Sequence, residues 1–136
     1  MRNPKFRFWF ILTLLSLGLI FVQSALPAST SNAESGGLLK VLQEFWPSLT
    51  HSTLRSIAHF GEYFILGICA LGMFFRTKHF VLSKPWLFCL FTALCDETVQ
   101  TYVDGRSGQI ADIRLDFAGA IVGVLIMWAI LKIRKK

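Results

Sequence analysis

The sequence predicts an all-α fold, a polytopic membrane four-helix bundle with a short amphipathic helix in its first outer loop. Three observations predict it. The 136 residues are 54% hydrophobic and only 16% charged, with 13 Phe, far too apolar for a soluble domain of this size. Four apolar segments, 8–26, 57–75, 86–103 and 113–131, approach the roughly 20 residues that a spanning helix needs. Strand-like alternation is absent from them, and hydrocarbon admits only helices or closed barrels, so helix is the reading.

The first segment follows the basic stretch Arg2, Lys5 and Arg7. A cleaved signal peptide shares that layout, but the apolar run is at the upper limit of length, and Ala28 has Leu26 at the minus-three position. A retained anchor is therefore expected. Residues 27–37, rich in Ser, Ala, Asn and Gly, read as a flexible outer loop. Over 38–46 the pattern changes: Leu38, Leu39, Val41, Leu42, Phe45 and Trp46 recur at helical spacing opposite Lys40, Gln43 and Glu44. That describes an amphipathic helix lying on the outer surface, which caps the bundle or, as the less favoured alternative, forms a lid or lipid-facing wall. Pro85 suits the first turn of the third span, where its missing donor does no harm. Asp104 and Gly105 signal a turn that closes the last two spans into a hairpin.

Charge placement orients these elements. The formal charge is +6, and ten of the fourteen basic residues fall in three patches: Arg2, Lys5 and Arg7; Arg76, Lys78 and Lys84; Lys132, Arg134, Lys135 and Lys136. Threading four spans through the positive-inside rule puts all three patches and both termini in the cytoplasm, giving a multi-pass protein of the cell membrane. Trp9, Trp86 and Trp128 then lie near the inner boundary, as belt residues do. The lipid bilayer, rather than nucleic acid, accounts for the charge. Cys69, Cys89 and Cys95 lie inside apolar segments without metal-type spacing and are read as packing residues, with no disulfide assigned.

A polar constellation remains. Arg55, His59, Glu62 and Tyr63 share one face of the second span; Asp96, Glu97 and Gln100 share one face of the third; Asp112 and Asp116 share a face of the fourth with Gly119 and Gly123. Arg106 hangs over the hairpin and Arg114 sits at the membrane edge. All map to the outer half of the bilayer. A charge at the centre of a membrane helix costs at least about 2.5–3.5 kcal/mol, so such groups face one another or a wet cavity. Single pairs, such as Arg106 with Asp96 or Asp112, read as helix-locking salt bridges. The whole set does not, because five acids face three arginines and two negative charges are left over. A protonated carboxyl, protonated His59, a bound cation or a cationic ligand would offset them. A divalent ion on His59, Glu62, Asp96 and Glu97 is weakly supported, since no HExxH is present; no metal or other cofactor is expected. His51 and His79 read as solvated residues, and Gly67, Gly72 and the Gly119–Gly123 GxxxG pair as close-packing positions beside Ala93, Ala118 and Ala120.

The pattern of Arg55, His59, Phe60, Tyr63, Leu66 and Gly67, followed by DETVQTYVDGRSGQIADIRLDFAG, resembles the VanZ-like family of bacterial membrane proteins. The later matching positions are Asp96, Glu97, Gln100, Tyr102, Gly105, Arg106, Asp112, Gly119 and Gly123, and Gln23 and Ser24 resemble the family's start. The resemblance spans nearly the whole chain. It departs at Asp116, where many members have Asn four residues after the Asp of the last helix. The resemblance implies a link to teicoplanin resistance and action at the outer face of the membrane on cell-envelope ligands. A lipid-linked cell-wall precursor or a phospholipid head group would be held by Arg55 and Arg106. The alternative is a small intramembrane hydrolase or transferase using Glu62, Asp96 or Glu97 as acid or base, with His59 assisting. A transporter is less favoured, because the polar set does not continue to the cytoplasmic half and repeats are absent. The residues leave the oligomeric state open.

Overall fold

The computed structural model of the chain describes residues 4–133. Arg2, Arg134, Lys135 and Lys136, counted above among the basic patches, lie outside the described residues. Five helices follow in order: α1 (Pro4–Ala25), α2 (Ala28–Phe45), α3 (His51–Phe74), α4 (Ser83–Gln100) and α5 (Ile110–Ile133). No strand occurs among the described residues. Helices α1, α3 and α5 are long and apolar enough to cross a membrane, whereas α4 is not counted with them. Its 18 residues end in Asp96, Glu97 and Gln100, which dilute its apolar run.

Exposure is inverted relative to a soluble protein. Leu15, Leu19 and Val22 of α1, Leu87 and Phe91 of α4, and Ile126 and Ile130 of α5 are all exposed, while Asp96, Gln100 and Asp116 are fully buried. Apolar surface outside and polar groups inside is the arrangement that hydrocarbon selects. Helix α4 shares it, since Pro85, Cys89, Thr92, Ala93, Asp96, Glu97 and Gln100 form its buried stripe.

Helix α3 is the centre of the packing and touches each of the others. It begins earlier than the apolar run suggests, because Thr50 caps it by accepting a 3.2 Å hydrogen bond from the Thr53 N–H. Its closest neighbour is α5. Backbone meets backbone there: a Cβ at Gly119 would strike the Phe60 carbonyl, one at Gly123 the Phe64 carbonyl, and one at Gly67 the Ala120 carbonyl. The GxxxG pair thus serves α3, and dispersion across that seam replaces the hydrophobic drive that lipid removes.

The two ends of the packed helices differ. At one end Trp9, Trp86 and Trp128 gather around buried Leu71, Val124 and Met127. Arg76 stacks 5.8 Å from the Trp9 ring centre and Lys132 sits 3.8 Å from that of Trp128. Burial lowers the Arg76 pKa from its ordinary value. In the middle lie Ile20, Tyr63, Leu66, Ala70, Cys89, Ala93 and Ala120. The three cysteines are free. The opposite end holds the polar residues.

Two segments differ from the sequence reading. Residues 28–37, expected as a loop, are helical, and the helix expected over 38–46 is the second half of α2. Pro27 precedes it with φ −53°, and the Ala28 N–H is tied to the Asp104 carbonyl at 3.2 Å. That tertiary anchor offsets the low helix propensity of Ser, Asn and Gly. Helix α4 stops at Gln100, and residues 101–103, expected within the third span, already turn. Gly105, at φ 74°, makes the reversal that an L side chain resists.

Candidate functional site

The site is assembled from the C-terminal ends of α1 and α4, the N-terminal parts of α3 and α5, and the first half of α2. Asp96 is its most heavily bonded member. Its Oδ2 accepts a 3.1 Å bond from the Tyr63 hydroxyl, and its Oδ1 accepts from Ser24 Oγ and from Gln100 Nε2 at 3.4 Å. Ser24 also sits on the Ile20 carbonyl of its own helix at 2.9 Å. Three helices therefore converge on one carboxylate that is fully buried.

Beside it lies a second buried carboxylate. His59 Nδ1 is 3.2 Å from Asp116 Oδ1, joining α3 to α5. Asp116 Oδ2 is buried without a hydrogen-bond partner. A third carboxylate, Glu97, accepts the Gln109 N–H at 2.7 Å through Oε2 and leaves Oε1 buried and unpartnered. One ligand atom from each of His59, Asp96, Glu97 and Asp116 lies within 4.8 Å of the others. Two like charges that close repel by roughly 3–4 kcal/mol at an effective dielectric near 20. The triad of carboxylates therefore calls for a proton or a cation.

The arginines sit above this floor. Arg55 donates to Gln100 Oε1 at 2.7 Å and to Asp112 Oδ2 at 3.3 Å. The expected pairing of Arg106 with Asp96 or Asp112 does not form among the described residues; Arg55 takes Asp112, and this rim pair stands four residues before the deeper His59–Asp116 pair on both α3 and α5. The Arg106 guanidinium makes no hydrogen bond or ion pair among the described residues, and its Nε is buried. Burial, then the neighbouring Arg55, lowers the Arg106 pKa from its ordinary value, while Asp96, Glu62 and Glu97 oppose that shift. It stays a cation.

Arg55, Arg106, His59 and Glu62 all face a cavity of about 290 Å³. Ser31, Asn32 and Ser35 of α2 complete its polar wall, with Leu38, Leu54 and Ala58 supplying apolar surface. Helix α2 is thus a wall of the site, chiefly through its first half, the stretch expected as a loop.

Of the residues singled out from sequence, Arg55, His59, Glu62, Tyr63, Asp96, Glu97, Gln100, Arg106, Asp112 and Asp116 all lie at this end. Glu62 stands on the cavity wall, outside the four-donor group, and Asp116 takes the place it was given there. Arg114 and Tyr102 point away and are exposed. Ser24 was noted only as a resemblance, yet it bonds Asp96 directly. Its signal was slight: one hydroxyl at the end of an apolar run.

A family model described as VanZ/LLP1 matches residues 8–132. Searches of curated proteins and of solved structures gave no match.

Proposed function

The chain belongs to the VanZ/LLP1 family, and from that premise we propose that it holds the anionic head group of an envelope lipid or lipid-linked precursor at the outer face of the cytoplasmic membrane. The observation that carries this reading is the pair of guanidinium groups on one cavity, with Arg106 unpaired and the buried Arg55 Nε without a hydrogen bond among the described residues. Cations held beside lipid-facing apolar surface suit a phosphate or carboxylate whose acyl or prenyl chain remains in the bilayer.

The orientation belongs to the same proposal. Four spans, with α4 as the third, put Arg76, Lys132 and the three Trp residues at the cytoplasmic boundary and the polar chamber at the other. The link to teicoplanin, an antibiotic that works on wall precursors outside the membrane, would follow from a precursor or the antibiotic's own acyl tail entering this chamber. Titrating purified protein with a short-chain phosphatidic acid and a short polyprenyl phosphate tests the reading. Binding that weakens about 10-fold in Arg106→Lys supports it, since Lys lacks the bidentate fork; indifference to both Arg106→Lys and Arg106→Gln refutes it.

One observation favours a second reading, an intramembrane hydrolase or transferase. His59 lines the cavity with a carboxylate, Asp116, behind it, and Glu62 stands on the same wall. A base oriented by a buried acid is a recurring acid–base device. Incubation with envelope lipids followed by mass analysis decides: a product of changed mass supports turnover, and unchanged lipids in the presence of demonstrated binding leave the binding reading alone.

A further inference from the structure

We propose that His59, Asp96, Glu97 and Asp116 form a divalent-cation site beneath the head-group cavity. The four residues come from three helices, and no spacing in the sequence joins them. Their donor atoms lie within 4.8 Å of one another. Ligands on opposite sides of an ion bonded at 2.1–2.4 Å are about 4.2–4.8 Å apart, so the cluster has the dimensions of one coordination sphere.

The donors are also arranged as ligands usually are. Glu97 and Asp116 each have one oxygen held, by the Gln109 N–H and by His59, while the other, Glu97 Oε1 and Asp116 Oδ2, is buried with no hydrogen bond among the described residues. Both side chains are more than nine-tenths buried. A carboxylate oxygen without a donor in an apolar interior is costly unless a cation faces it. Asp96 is oriented by Ser24, Tyr63 and Gln100, the outer layer of hydrogen bonds that holds a ligating carboxylate in place. Three carboxylates and one imidazole suit an ion of the Mn²⁺ or Zn²⁺ kind better than Mg²⁺, which prefers to keep its waters. His59 also faces the cavity, so an ion here would stand next to whatever enters it.

This site does not require the head-group reading, and its test uses no lipid. Detergent-purified full-length protein, stripped with chelator and dialysed, is titrated with Mn²⁺ and followed by electron paramagnetic resonance. The expected result is one tightly held ion per chain, with pulsed spectra showing coupling to an imidazole nitrogen. Asp116→Asn and Glu97→Gln should each weaken binding by at least about 100-fold, as loss of a direct ligand exceeds the 10–100-fold cost of losing an outer-layer partner. Glu44→Gln, on exposed α2 surface, should leave it unchanged. Wild-type protein that takes up no Mn²⁺, or binds it without nitrogen coupling, overturns the proposal without recourse to any variant.

Discussion

His59 Nδ1 lies 3.2 Å from Asp116 Oδ1, and both side chains are buried between α3 and α5. Removing one partner of such a pair strands the other. In chelator-treated protein, His59→Ala should lower stability by about 3–5 kcal/mol. Adding Asp116→Ala should restore part of that loss, because no buried charge is left behind. Unfolding in detergent micelles checks this, and a double variant as unstable as the sum of its singles would show that the two groups do not interact.

The α3–α5 seam makes a second prediction. Gly123→Ala pushes a methyl group into the Phe64 backbone and should cost about 1–3 kcal/mol. Gly18→Ala in α1 meets nothing within 4 Å and should be neutral or stabilising by up to about 1 kcal/mol. Thermal unfolding of the two variants side by side separates them; equal effects would argue against this helix pairing.

Ser24 provides a third. Its hydroxyl is a donor to buried Asp96, so Ser24→Ala should cost about 1–3 kcal/mol. Ser16, eight residues earlier in α1, reaches only the Cys69 sulfur at 3.9 Å besides its own helix among the described residues, and Ser16→Ala should cost less than about 1 kcal/mol. Denaturation midpoints that rank the two in the opposite order would remove Ser24 from the site.

These cases show what the sequence carries and what it hides. Spans α1, α3 and α5 are legible because each contains a long, largely apolar run. The polar faces of α3, α4 and α5 are legible because charges three and four residues apart must share a side. Partner choice is not: Arg55 and Arg106 are equivalent cations on paper, and only the packing of α3 against α5 gives Asp112 to Arg55. Helix α2 is hidden because its first half is made of residues that favour turns, and a contact 76 residues away, from Ala28 to Asp104, anchors it. The meeting of Asp116 with His59, Asp96 and Glu97 is a property of the packing alone.

The fourth prediction separates stability from binding. The Arg55–Asp112 pair is partly exposed, with side chains 32% and 19% accessible, so breaking it should change stability by no more than about 1 kcal/mol. Arg55→Gln should nevertheless weaken binding of a short-chain phosphatidic acid about 10-fold. A variant that unfolds but binds normally, when measured at low temperature, would reverse the assigned role.

The most direct test of the whole account is whether residues far apart in the chain meet at one polar end within the membrane. Ser24→Cys and Asp96→Cys, combined in a chain whose Cys69, Cys89 and Cys95 are replaced by Ala, can be oxidised in native membranes and read by mass spectrometry of the joined peptides. Convergence of α1 and α4 predicts an efficient intramolecular cross-link, with none between Ser24→Cys and an added Trp86→Cys at the other end. A cross-link to position 86 and none to position 96 would place α1 in the opposite direction and dissolve the chamber.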